Sequence, residues 1–366
     1  MYCEETIRAR ARAYRASAPD ALVVYGTKAF PNVAILRLLA EEGIGADVST
    51  LGELRFAQRA GVEGRRIVVH GNNKSAAELA AAAEAQAAYV VLDSVEELER
   101  ARAAGIERML VRVTPGIEAD THESIRTGHA GSKFGVAPEE ALELAPHVDG
   151  LHVHVGSQLL GTASARETLA WLNRFLADAG WSPEVIDLGG GLGVPTLPGQ
   201  TAPSIDEYVR TLLGQLAVDA RVILEPGRSL VGAAGVTLYR AGAVKQSGDV
   251  SWVAIDGGVS DNPRPQLYDA RYTAVIASRV GAAPTSLFAI AGKHCESGDV
   301  LIDSVQLPTP RRGDVLAVPS TGAYTLAMAS AYNAVPRPAV VVVSGGDARV
   351  IRRRETIDDL LAVESP

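Results

Sequence analysis

The chain has 366 residues, 47% hydrophobic and 21% charged, with a formal net charge of −8. That is the composition of a globular protein long enough for two domains, and its acidity argues against nucleic acid as a main partner. No apolar run is long enough to span a bilayer, and the two cysteines, Cys3 and Cys295, make no disulfide framework, so a cytoplasmic location is expected.

The N-terminus, Met1-Tyr-Cys-Glu-Glu-Thr-Ile-Arg, has no signal-peptide pattern and reads as a charged helix. Ala21 to Tyr25 is a continuous apolar run, the pattern of a strand buried on both faces. Lys28 follows it, and Pro31 opens a helical pattern with Val33, Leu36, Leu39 and Ala40 on one face. A lysine closing a buried strand would be poorly solvated, which favours the neutral, nucleophilic amine. Taken alone, the stretch more readily describes a surface lysine in a strand–helix loop.

Further apolar runs follow at Ala46–Ser49, Ile67–His70, Tyr89–Leu92, Met109–Val113, Leu151–Val155, Val185–Leu188 and Val222–Leu224. Between them lie helical patterns at Leu51–Ala60, Ser75–Gln86, Val95–Ala104, Pro138–Leu144, Ser164–Ala179 and Ile205–Leu216. A long polar loop, Thr114 to Gly135, precedes the sixth run. Eight alternating units predict a (β/α)8 barrel of the TIM type, although periodicity does not distinguish closure from an open sheet. After Gly232 the pattern changes to β-like runs at Val236–Leu238, Trp252–Ile255, Ala274–Ile276, Leu287–Ile290, Val315–Val318 and Val340–Val343, separated by turns. This predicts an antiparallel β domain, with the chain divided into residues 1–235 and 236–366. The charged tail, Arg349 to Pro366, is expected to fray.

On a β/α barrel the residues just after each strand form the active face. Lys28 follows the first strand, Asp47 lies in the second, and His154-Val-Gly-Ser157 follows the sixth. Gly189-Gly190-Gly191 follows the seventh and Glu225-Pro-Gly227-Arg228 the eighth. A glycine run there lets backbone N–H groups approach a phosphate, though it is equally a tight turn. His152 and His154 share one strand face, where one could be a core histidine, and Glu225 could merely pair with Arg228 on the surface. Convergence decides: a lysine able to form a Schiff base, a phosphate cradle, a ring-sized histidine and a carboxylate for a ring nitrogen meet the needs of pyridoxal phosphate. The histidines and cysteines show no metal-type spacing, and no nucleotide-binding glycine motif is present.

These residues carry a resemblance. The chain is similar to the pyridoxal-phosphate-dependent decarboxylases of the alanine-racemase-like fold (fold type III), above all to their diaminopimelate decarboxylase branch. The markers begin with Tyr25-Gly-Thr-Lys28-Ala, Ala46-Asp-Val-Ser-Thr-Leu-Gly-Glu-Leu, Thr121-His-Glu, Ser132-Lys-Phe-Gly135 and His154-Val-Gly-Ser-Gln. They continue with Asp187-Leu-Gly-Gly-Gly-Leu-Gly, Glu225-Pro-Gly-Arg228, Asp261-Asn-Pro-Arg264-Pro-Gln-Leu-Tyr268, Cys295-Glu-Ser-Gly-Asp299, Gly322-Ala-Tyr324 and Tyr332-Asn333.

The resemblance implies decarboxylation of meso-2,6-diaminopimelate to L-lysine, the last step of lysine biosynthesis. Sister activities on ornithine, lysine or carboxynorspermidine, a racemase, and a non-catalytic binding homologue are the alternatives. It implies that Lys28 holds the cofactor covalently, that His154 stacks on its ring, and that Glu225 pairs with its ring nitrogen. Asp47 and Ser157 join the cofactor set, while Gly190, Gly191, Gly227 and Arg228 take the phosphate. Arg228, Arg264, Tyr268 and Glu296 would fix the substrate's far end, with Tyr324 touching both substrate and cofactor. Cys295 would supply a proton, reaching with Glu296 into the second subunit of a homodimer with shared active sites. The family's additional N-terminal segment has no counterpart here, so the β domain is expected to be short of a strand, and Phe30 stands where the family commonly has asparagine.

Overall fold

The computed structural model describes residues 1–116, 132–154 and 156–365. By Cα proximity the chain forms two compact units: Ile7–Val194 with Thr201–Leu230, and Met1–Thr6 with Pro195–Gln200 and Val231–Pro366. The sequence reading drew a single boundary at 235/236, whereas this division passes between the units more than once.

The first unit is a closed barrel of parallel strands. In order these are Leu22–Gly26, Gly45–Val48, Ile67–Val69, Tyr89–Leu92, Met109–Arg112, Gly150–His152, Val185–Asp187 and Arg221–Leu224. Closure, which periodicity left open, is made by the first and eighth strands, Leu22 pairing with Ile223 and Val23 with Leu224. Val24, Val68, Val91, Leu110, Val185 and Ile223 belong to one buried cluster. The apolar runs are therefore continuous because both faces of each strand are covered.

Local chemistry sets the helix boundaries. Pro31 does not open the helix Val33–Glu41; Asn32 caps it, its side chain accepting from the Ala34 and Ile35 N–H groups. Thr50 caps Leu51–Ala60, which ends on left-handed Gly61, and Ser75 with Glu78 forms a capping box for Ala76–Glu84.

The second unit holds a six-stranded sheet in the order Val275–Ile276, Val315–Pro319, Val236–Ser247, Val250–Ile255, Ser286–Ala291 and Val300–Leu307. Its core includes Tyr239, Val253, Ile255, Tyr272, Ile290, Leu301 and Leu316. A three-stranded sheet joins Tyr2–Cys3, Val340–Ser344 and Asp347–Arg352. Pairing is mostly antiparallel, as expected, but Val250–Ile255 with Ser286–Ala291 and Tyr2–Cys3 with Val340–Ser344 are parallel.

Three expectations need correction. The first residues are a strand, Tyr2–Cys3, ahead of the helix Glu4–Ser17. The tail does not simply fray: Asp347–Arg352 pairs in a sheet, and Ile357–Leu361 is a helix capped by Thr356. The strand Val300–Leu307 was missed because its outward residues Asp303, Ser304 and Gln306 interrupt the apolar run. Among the described residues no helix is long and apolar enough to cross a membrane.

Candidate active site

The barrel's strand ends bring together most of the residues singled out from its sequence. Lys28 sits in the 3₁₀ turn Thr27–Ala29 directly after the first strand. Its side chain is 49% exposed and its Nζ donates to Asp47 Oδ2 at 2.8 Å, so it is not the desolvated lysine that a buried strand suggested. What presents this amine is an anchored carboxylate, since Asp47 is only 1% exposed on the second strand. The first and eighth strand ends touch: Gly26 N–H donates to Pro226 O at 3.2 Å, setting Lys28 beside the Glu225–Arg228 loop.

Glu225 is not in a surface ion pair. It is 7% exposed, and its Oε1 lies 2.5 Å from His70 Nε2 while Oε2 lies 3.5 Å from His152 Nε2. Burial pushes the Glu225 carboxyl up, but His70 and His152 beside it outweigh burial and hold it well below the usual carboxylate range. Asp187 behaves oppositely: burial first, then Glu225, push its carboxyl well above the usual range. Two neighbouring carboxyl groups are thus shifted in opposite directions, Asp187 toward its neutral form and Glu225 toward its anion. Asp187 Oδ1 also accepts the Gly189 N–H at 2.8 Å, fixing the start of the glycine run.

That run is shaped by close approach. A side chain on Gly190 would collide with the Glu225 carbonyl, and Gly191 has a φ of +111°, a conformation that L side chains rarely adopt. The Glu225 N–H donates to Gly189 O at 2.8 Å, joining the seventh and eighth strand ends. Gly227 lies just before the short helix Arg228–Val231. His152 and His154 share a face as expected, with ring centroids 6.3 Å apart and planes 24° apart. His152 is the buried core histidine, lowered to about 3 by burial. His154 is pushed well below its ordinary value by burial and then by Arg112, which leaves a flat neutral ring suited to stacking. Ser157 lies half-buried in the loop beyond it.

Sequence reasoning missed His70, Asp187 and Arg112. Arg112 ends the fifth strand over the Phe134 ring, 4.5 Å from its centroid, and 4.0 Å from Asp93. The available signal was a lone charged or imidazole residue closing an apolar strand. His70, His152, Asp187 and Glu225, from four strands, also place one donor atom each within 4.8 Å of one another, although no sequence spacing announced such a group. His70 and Glu225 satisfy one another across 2.5 Å, whereas Asp187 Oδ2 and both His152 ring nitrogens are buried without a hydrogen-bond partner.

Arg264, Tyr268, Cys295, Glu296 and Tyr324 all belong to the second unit. Arg264 is buried, its Nε donating to Tyr272 Oη at 3.1 Å and its guanidinium lying 5.2 Å from the Tyr268 ring centroid. Cys295 and Glu296 are exposed. The Cys295 N–H donates to Asn333 Oδ1 at 2.8 Å, and Glu296 Oε1 accepts from the Gly298 N–H at 3.2 Å. Tyr324 is half-buried with a φ of +58°. The Thr121-His-Glu marker, His122, His129 and Val155 lie outside the described residues.

The donor set at the barrel mouth fits pyridoxal phosphate. A reachable amine, a buried anion for a protonated ring nitrogen, a neutral imidazole face and a glycine-lined backbone turn all stand on the same strand ends. Asp47 Oδ1, buried without a hydrogen-bond partner, is a further polar atom at the same place.

Comparison with known proteins agrees. Residues 4–232 match the family described as pyridoxal-dependent decarboxylase, pyridoxal binding domain. A diaminopimelate decarboxylase of Actinosynnema pretiosum subsp. auranticum is 44% identical over 383 residues, spanning 99% of this chain and 87% of its own. The crystal structure of diaminopimelate decarboxylase from Helicobacter pylori complexed with L-lysine superposes with a TM-score of 0.90 at 31% identity, over 99% of this chain and 95% of that one. A lysine/ornithine decarboxylase from Vibrio vulnificus complexed with putrescine has a TM-score of 0.81 at 24% identity, over 94% and 93% of the two chains, a likeness of fold alone.

Proposed function

This chain belongs to the pyridoxal-dependent decarboxylases, and on that premise we propose that it converts meso-2,6-diaminopimelate to L-lysine and carbon dioxide. One observation carries the chemistry: a lysine amine held by Asp47 and a carboxylate kept anionic by His70 stand on adjoining strand ends of one barrel face. The choice of diaminopimelate is supported by the 44% identity over nearly the whole chain.

When bound, pyridoxal phosphate supplies an electron sink for the pair left as the carboxylate departs. Lys28 would hold the cofactor through its Nζ. Glu225 keeps the ring nitrogen protonated, His154 offers its neutral ring for stacking, and Asp47 and Ser157 complete the polar surround. Gly190, Gly191, Gly227 and Arg228 hold the phosphate. Arg228, Arg264, Tyr268 and Glu296 bind the substrate's distal amino and carboxylate groups, and Tyr324 bears on substrate and cofactor. The bond from Cα to the carboxylate breaks, carbon dioxide leaves, and a proton from Cys295 Sγ takes its place at Cα.

In this reading residues 1–235 carry most of the cofactor contacts and 236–366 most of the distal recognition, in a soluble cytoplasmic homodimer where Cys295 and Glu296 serve the second copy. Mixing inactive Lys28→Ala and Cys295→Ala chains should restore activity by forming one intact site; no recovery despite confirmed subunit exchange counts against the shared site. The function itself is tested by offering meso-diaminopimelate, ornithine and lysine side by side and measuring product. Turnover of ornithine or lysine in preference to diaminopimelate would overturn the proposal.

A further inference from the structure

The eighth-strand glutamate has a neighbour that the proposed chemistry leaves without a task. His70 follows the third barrel strand, Ile67–Val69, and is buried. Its Nε2 lies 2.5 Å from Glu225 Oε1 and 3.9 Å from Asp47 Oδ1. A lone pair and a carboxylate do not approach to 2.5 Å, so Nε2 carries a hydrogen that Glu225 accepts.

The ring is held from several sides. The His70 N–H donates to Val48 O at 2.7 Å. The next residue, Gly71, gives its carbonyl to the buried Lys74 Nζ at 2.8 Å, and Lys74 also binds Val91 O at 2.6 Å and Glu97 Oε2 at 2.7 Å. The His152 ring packs edge-on against His70 with centroids 4.9 Å apart. His70 thus connects the carboxylate that holds Lys28 with the carboxylate facing the ring nitrogen.

We propose that His70 is a positioning residue that clamps Glu225, fixing its rotamer and keeping it an anion toward the cofactor ring nitrogen. The proposal rests on Glu225 being the partner of that nitrogen. Asp47, Glu225 and His152 face the imidazole from the second, eighth and sixth strands, and Glu53 lies near enough to interact with it electrostatically. A group so surrounded by acceptors cannot be exchanged for an apolar one without changing how Glu225 is charged.

The test uses the holoenzyme reconstituted with ¹⁵N-labelled pyridoxal phosphate, whose ring-nitrogen chemical shift reports protonation directly. His70→Ala should move that signal toward the unprotonated pyridine value and weaken cofactor binding about tenfold. It should lower kcat roughly ten- to a hundredfold while KM stays within about twofold. His70→Gln, which keeps an N–H donor, should recover most of each effect, whereas His70→Phe, which keeps a ring without the donor, should behave like alanine. If His70→Ala fails to fold, the Gln and Phe pair decides. A ring nitrogen that stays protonated in both Ala and Phe variants, with kcat unchanged, would overturn the proposal. Glu225→Gln separates the two levels. If that variant also leaves the nitrogen protonated, the underlying reading of Glu225 fails; if it deprotonates the nitrogen and the His70 variants do not, only the role of His70 fails.

Discussion

Lys28 Nζ lies 2.8 Å from Asp47 Oδ2, an ion pair between a half-exposed amine on a one-turn helix and a carboxylate almost wholly buried in the neighbouring strand. The asymmetry matters. A buried carboxylate with one oxygen lacking a hydrogen-bond partner is costly, and Asp47, set in its strand, depends on Lys28 for its other oxygen, while the Lys28 side chain keeps half of its surface exposed. The amine is thus aimed rather than desolvated, and it stays accessible to a carbonyl compound.

Borohydride reduction of the holoenzyme followed by peptide mapping should therefore place the pyridoxyl group on Lys28. Lys74 is buried and committed to two carbonyls and Glu97, which makes it a poor competitor. Lys28→Ala should abolish the reducible linkage and lower kcat by about a thousandfold or more, the scale of losing a covalent catalyst. A label on Lys74 or Lys133 would contradict the assignment.

Arg264 was read as a fork for the substrate's distal carboxylate, yet it is buried beside Tyr268 and Tyr272. Charge-assisted contacts contribute about 1.5–3 kcal/mol each, roughly ten- to a hundredfold in kcat/KM. Arg264→Lys and Arg264→Ala should lose that much for diaminopimelate, less for lysine, and leave cofactor absorbance unchanged. Tyr272→Phe removes the partner of Nε and should weaken diaminopimelate turnover by a smaller factor. Equal losses for both substrates, together with a lower unfolding midpoint, would mark Arg264 as a structural residue of its own unit.

The eight barrel strands were legible because parallel strands covered on both faces read as unbroken apolar runs. Closure was not, since it depends on Leu22 meeting Ile223 across some 200 residues. Edge strands were hidden: Asp347–Arg352 carries charge at both ends, and Tyr2–Cys3 is too short for any period. Site residues in marked motifs, such as Lys28 and Glu225, could be found from the sequence. His70 and Asp187 each close an apolar run, and Asp187 heads a marked motif, but only the barrel brings them to Glu225 and so gives them a role.

Lys74 gives a stability test. Burial lowers its ammonium and Glu97 opposes that, while Glu97 Oε2 also accepts the Asp93 N–H at 3.0 Å. Lys74→Met leaves the buried Glu97 with Arg100, 3.5 Å from Oε1, and the Asp93 N–H, and should cost about 3 kcal/mol. The pair Lys74→Met with Glu97→Leu should recover a large part of that, since breaking a buried pair is worse than replacing it. Urea unfolding of the four proteins of this cycle measures the coupling; a single Lys74→Met variant as stable as the parent would show the network to be energetically idle.

The last prediction concerns pH and uses the opposed shifts of His152 and Asp187 in the cofactor-free protein. His152 is lowered from 6.5 to about 3, so below 6.5 the unfolded chain binds a proton that the folded chain refuses. Its contribution is present above 6.5 and is lost as pH falls toward 3. Asp187 is raised from 3.8, so above 3.8 the folded chain keeps a proton that the unfolded chain releases. Its contribution is present below 3.8 and is lost as pH rises. Each unbalanced proton changes stability by about 1.4 kcal/mol per pH unit. Between 3.8 and 6.5 the two slopes oppose, and the parent profile alone conceals both. Differences expose them: the stability of the parent minus that of His152→Asn should rise with pH from 4 to 6.5, and the parent minus Asp187→Asn should fall over the same range. Each difference should approach the one-proton slope, reduced where the two groups and Glu225 couple. Chemical denaturation at half-unit pH steps measures it. Two flat difference curves would mean that neither group is shifted in the folded chain, and the opposed shifts of Asp187 and Glu225 would fall with them.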